Sequence, residues 1–93
     1  MAEFVQWKLS RKQLAKYGLS VSDWWFLFDE QDGLCGICQV KKRLVVDHDH
    51  VTGQVRGLLC NSCNTGLGHF GDDEKTLQDA IEYLKKPKHF QGR

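Results

Sequence analysis

Two CxxC pairs constrain this chain more than any other feature it carries. Cys35-Gly36-Ile37-Cys38 and Cys60-Asn61-Ser62-Cys63 are separated by residues 39–59. Each pair spans a tight turn, so four sulfurs can face one tetrahedral centre, the spacing of a four-thiolate zinc site. At 93 residues the chain holds one small domain, a size at which a hydrophobic core is marginal and a staple is expected. Structural Zn²⁺ contributes about 10–16 kcal/mol in sites of this kind. A pair of disulfides or a redox motif accounts for the pattern less well. Disulfides are rare in a reducing cytosol, and a redox CxxC does not normally come twice.

Charge and hydropathy narrow the classes further. A formal net charge of +1 excludes a histone-like binder that holds nucleic acid by charge alone. The longest apolar run, Trp24-Trp25-Phe26-Leu27-Phe28, is far short of the ~20 residues that span a bilayer. Met1-Ala2-Glu3-Phe4 has no signal-peptide pattern. No membrane association is expected, and the expected compartment is the cytoplasm. Charge is nevertheless organised in blocks. Lys8, Arg11, Lys12 and Lys16 form a basic lead, Asp23, Asp29, Glu30 and Asp32 an acidic segment, and Lys41, Lys42 and Arg43 a second basic group. Residues 72–82 are acidic again, and Lys85, Lys86, Lys88 and Arg93 make a basic tail. The basic blocks read either as phosphate contacts or as ordinary solvated surface.

The element signals describe a small α+β domain. Ser10–Tyr17 reads as a short helix stopped by Gly18, and Ser20 with Asp23 as a capping box opening a second helix that ends by Gly33. Trp24, Leu27 and Phe28 share one helical face, and Trp24, Trp25, Phe26 and Phe28 are all expected in the core. Arg43–Asp47 and Gln54–Leu59 read as antiparallel strands around a Thr52-Gly53 turn. A helix is predicted from Cys60 or Asn61. A last one is predicted after Asp72 or Asp73, with Leu77, Ala80, Ile81 and Leu84 inward and Pro87 beyond its end. The organisation expected is a basic arm and short helix over 1–19, a zinc-stapled domain over 20–84, and a basic tail over 85–93.

Asp47-His48-Asp49-His50 is the chemical centre. In a strand His48 and His50 share one face and Asp47 and Asp49 the other. Two carboxylates and two imidazoles are costly to bury, so the tetrad belongs at an edge or in a cleft. A carboxylate there can hold a hard divalent ion while an imidazole serves as general base.

The run Leu44-Val45-Val46-Asp47-His48-Asp49-His50-Val51-Thr52-Gly53-Gln54-Val55-Arg56-Gly57-Leu58-Leu59-Cys60-Asn61-Ser62-Cys63-Asn64 closely resembles the recombination endonuclease VII family. That family belongs to the HNH, or His-Me finger (ββα-metal), nucleases. With the first CxxC and Gly66-Leu67-Gly68, the similarity covers roughly residues 33–84. The resemblance implies a ββα-metal core stapled by the four cysteines and flanked by helices at both ends. It implies that Asp47 and Asn64 hold one catalytic Mg²⁺ or Mn²⁺, with the asparagine amide oxygen suited to a hard ion. By the same resemblance His48 is the general base that takes a proton from water, and His50 contacts the phosphate or assists proton transfer. Arg56 is expected either on a phosphate oxygen or packed at the strand edge. Asp49 is expected to orient an arginine or a backbone amide, and His69 to meet solvent or phosphate rather than the metal.

The implied activity is metal-dependent endonucleolytic cleavage of duplex, nicked or branched DNA to 5′-phosphate and 3′-hydroxyl ends, with low sequence specificity, in a bacterial or phage-infected cell. The alternatives are a catalytically silent, zinc-stabilised DNA-binding module and a thiol-based metal or redox sensor. Two features depart from the family pattern. Long dimerising helices are not seen after Asn64, so a monomer is favoured over an intertwined dimer. Thr65-Gly66-Leu67 stands where some relatives carry an acidic residue.

Overall fold

The computed structural model describes residues 10–87, so Lys8 in the basic arm and Lys88, His89 and Arg93 in the tail lie outside the described residues. Within them the chain runs α1 (Arg11–Ala15), α2 (Val21–Glu30), β1 (Leu44–His48), β2 (Val55–Cys60), α3 (Asn61–His69) and α4 (Glu74–Lys85). The helix starts follow the capping chemistry. Ser10 and Ser20 each accept from the third residue on and receive a side chain in return, from Gln13 and Asp23. Asp73 caps α4 by accepting from Thr76 N–H at 2.9 Å and from its hydroxyl at 2.6 Å. After α2, Gly33 turns left-handed at φ +72°, and a Cβ there would lie 2.9 Å from Phe28 Cζ, so only glycine closes this helix over the buried ring.

β1 and β2 form one antiparallel hairpin, with Leu44 opposite Cys60, Val46 opposite Leu58 and Asp47 opposite Gly57. His48 then faces Val55, leaving Arg56 as the extra residue of a bulge. Leu14, Trp24, Phe28, Leu44, Val46, Leu58 and Leu59 are buried together with Cys35 and Cys60. The core therefore lies between the hairpin, the two N-terminal helices and the cysteine cluster. α3 packs on both strands, completing a ββα unit, while α2 packs on β2. Gln31, just past α2, ties the two together. Its amide accepts from Leu58 N–H at 2.9 Å and donates to Leu58 C=O at 2.9 Å and Leu34 C=O at 2.7 Å. One side chain thus pairs with Leu58 as a third strand would.

Two expectations need correction. Phe26 is 64% exposed rather than in the core, because it sits two residues beyond buried Trp24 and so on the opposite side of α2. The stripe on α4 is only partly covered. Leu77 and Ala80 are half-buried, but Ile81 and Leu84 are exposed, Leu84 by 72%. Leu77 lines an open cleft with Leu58 and Leu59 of the hairpin, and Ile81 and Leu84 beyond it stay in solvent.

Candidate active site and metal centre

The two CxxC segments meet. Cys35 and Cys38 lie before β1, and Cys60 and Cys63 at the junction of β2 and α3, with all four sulfurs within 4.8 Å of one another. Four sulfurs at about 2.3 Å from a tetrahedral zinc ion sit roughly 3.8 Å apart, and Cys38 Sγ is 3.9 Å from Cys60 Sγ. Both turns aim backbone N–H groups at sulfur. Ile37 donates to Cys35 Sγ and Cys63 to Cys60 Sγ, each at 3.4 Å. Burial pushes the Cys35 thiol up, but donation around Cys60, Ile37 and Cys38 outweighs it and brings the group to about 6. Burial and then the neighbouring sulfurs push Cys63 up to about 12. A cysteine binds a metal as its thiolate, so a cation is the natural counter-charge for four sulfurs held this close. This is a structural metal site.

On the opposite part of the hairpin, the Asp47 tetrad occupies the end of β1. Asp47 is 7% exposed, the one buried charged residue among those described. Its carboxylate accepts twice from Arg56, from Nε at 2.8 Å and from Nη2 at 3.0 Å. The same guanidinium donates to Asp72 in the α3–α4 connection, from Nη1 at 3.0 Å and Nη2 at 2.9 Å, and to His48 C=O at 3.3 Å. Asp47 and then Asp72 hold Arg56 firmly charged, and Arg56 in turn holds Asp72 below the usual carboxylate range. Arg56, anticipated as a phosphate contact or strand-edge residue, is thus seated between two carboxylates.

His48 and His50 do share a face. Their rings stack with centroids 4.9 Å apart and planes 2° from parallel, and Tyr17, after α1, lies against His48 at 5.3 Å. Asp49 takes the backbone-amide role. Its carboxylate accepts from Val51 and Thr52 N–H at 2.7 and 3.0 Å, which hold it below its ordinary range, Thr52 foremost. Gly53, at φ +79°, closes that turn. Asn64 sits half-buried in the first turn of α3, the helix packed on β1 and β2. His69 ends α3 exposed, five residues and so well round the helix from Asn64. Lys41, Lys42 and Arg43 are exposed on the approach to β1. A cleft of about 540 Å³ opens on the Asp47 side, lined by Asp47, Asp49, Arg56, Asp72 and Glu74 among others. Sequence reading missed Tyr17, Gln31 and Asp72, whose roles depend on contacts across the fold that no local spacing encodes.

A two-stranded hairpin crossed by a helix, with an Asp-His pair at the strand end and an asparagine in the helix, defines the ββα-metal class. The solved ββα-Me type II restriction endonuclease Hpy99I is similar to this chain with a TM-score of 0.52 and 40% identity, over 64% of this chain and 40% of that one. A sequence profile described as Recombination endonuclease VII matches residues 10–86, and the chain belongs to that family. The match begins upstream of the motifs and takes in α1 and α2. The Gene 59 proteins of Mycobacterium phages D29 and L5 are 51% and 49% identical over 79 residues. Each alignment covers 80% of this chain and 48% of the relative, so the chain spans about half the length of the relatives it matches. No helix among the described residues is long and apolar enough to cross a membrane.

Proposed function

We propose that this domain is a metal-dependent DNA endonuclease that hydrolyses phosphodiester bonds to 5′-phosphate and 3′-hydroxyl ends, acting inside the infected cell. The observation that carries the reading is the stacked His48–His50 pair beside the buried Asp47, with Asn64 on the helix that packs against the same strands. Asp47 and Asn64 offer oxygen donors that fit Mg²⁺ or Mn²⁺. Arg56 uses two of the roughly four lone-pair sites of the Asp47 carboxylate, which leaves acceptor capacity for a hard ion. When bound, such an ion supplies charge stabilisation at the phosphate and the leaving oxygen.

The chain's own residues divide the remaining work. His48 accepts the proton of the attacking water, and its ring is in contact with both Tyr17 and His50. His50, stacked behind it, contacts the phosphate or assists that proton transfer. Lys41, Lys42 and Arg43 contribute sequence-independent phosphate contacts, in keeping with low specificity. The four thiolates take Zn²⁺, which holds the hairpin and α3 in register without joining the chemistry. The substrate class is DNA, duplex, nicked or branched.

Incubation of supercoiled plasmid with purified protein and Mg²⁺, Mn²⁺ or EDTA tests this. The expected result is metal-dependent open-circle or linear DNA whose nicks are resealed by DNA ligase. If plasmid, junction and flap substrates all survive while DNA binding persists, the domain is a zinc-stapled binding module instead.

A further inference from the structure

We propose that Asp72 is a positioning residue for the Asp47 metal site, acting through Arg56 to set how strongly Asp47 holds a divalent ion. The inference rests on the reading of Asp47 as a ligand given above. Two irregularities of the backbone converge on Arg56. The β2 bulge places it as the residue without a partner across the hairpin, and Asp72 is held left-handed at φ +58° beyond Gly71. The result is one guanidinium shared by two carboxylates through four hydrogen bonds of 2.8–3.0 Å.

A merely local role for the Asp72 side chain is already filled by others. Asp73, not Asp72, caps α4, and the turn is closed by Asp72 N–H on Leu67 C=O at 2.8 Å, a contact of the backbone. A non-glycine residue at this φ carries strain, and the contact its carboxylate makes is with Arg56.

The electrostatic consequence follows from counting charges. With Asp72, the Asp47–Arg56–Asp72 group carries one net negative charge and attracts a cation. Without it the group is neutral, and the whole guanidinium charge falls on Asp47, opposing a second cation there. Partners behind a metal ligand typically change metal affinity 10–100-fold.

The test is Mn²⁺ titration by calorimetry on protein whose thiol site is already loaded, in a His48→Ala background without DNA. Asp72→Asn should weaken Mn²⁺ binding about tenfold. Asp72→Gly, which relaxes the backbone at φ +58°, should weaken it equally. Both losses should shrink once Arg56 is Gln, where only the through-space charge of Asp72 remains to act on the site. Unchanged affinity in Asp72→Asn and Asp72→Gly, or an equal loss in the Arg56→Gln background, overturns the inference. Asp47→Ala separates the two readings. Loss of Mn²⁺ binding there supports Asp47 as ligand, whereas persistent binding overturns that assignment and this inference together.

Discussion

Arg56 meets Asp47 at two points, Nε on Oδ2 at 2.8 Å and Nη2 on Oδ1 at 3.0 Å, across a strand bulge that makes Arg56 the unpaired residue of β2. A planar fork fits this geometry and a single ammonium does not. Arg56→Lys should therefore lower DNA cleavage about tenfold while leaving thiol-bound metal unchanged. Rates measured beside metal content in the same preparations check it.

The Gln31–Leu58 pairing makes a stability prediction independent of any chemistry. Gln31→Ala leaves Leu58 N–H and C=O without their side-chain partner at a partly buried strand edge. It should cost about 1–3 kcal/mol, read from urea unfolding. Gly57→Ala should destabilise through the same contact, because its Cβ would stand 2.9 Å from Gln31 Oε1.

Much of this fold is legible in the sequence where the information is local. Ser10, Ser20 and Asp73 mark helix starts by hydrogen bonds three residues long, and the CxxC pairs mark the metal cluster by their own spacing. The two-residue spacing that lets His48 and His50 stack is local as well, although the stack spans the end of β1 rather than lying within it. What escapes it spans the fold. Arg56 and Asp72 lie 16 positions apart, Gln31 and Leu58 27, and their pairing depends on a bulge and on helix docking. The α4 stripe misleads for a related reason. Its period announces an apolar face but cannot say how much of that face the rest of the fold covers.

Acid should weaken the domain through named carboxylates. Asp49 is held low by Thr52 and Val51 N–H, Asp72 by Arg56, and Asp73 by Thr76. A carboxylate held low in the folded state contributes stability that is complete above its unfolded pKa of about 3.9 and lost as pH falls through the folded value. The Tm difference between wild type and Asp49→Ala should be constant above about pH 5 and shrink below pH 4. Comparing the two proteins cancels the contribution of the thiol site, which both retain.

Removing the structural metal should unfold the domain rather than merely inactivate it, given about 10–16 kcal/mol for such sites. Chelation by phenanthroline, or Cys60→Ser, should abolish the cooperative thermal transition followed by circular dichroism. Re-addition of Zn²⁺ should restore it in the chelated wild type.

The central claim is that His48 and Asp47 perform hydrolysis on a scaffold that stands without them. It is tested most directly by supercoiled-plasmid cleavage in Mg²⁺ or Mn²⁺ with wild type, His48→Ala and Asp47→Ala, beside their thiol-bound zinc content. Metal-dependent cutting by wild type, with at least a hundredfold loss in each variant at full zinc content, is the predicted result, on the scale of about 10²–10⁴ for a general base. Cutting by His48→Ala at the wild-type rate would contradict it.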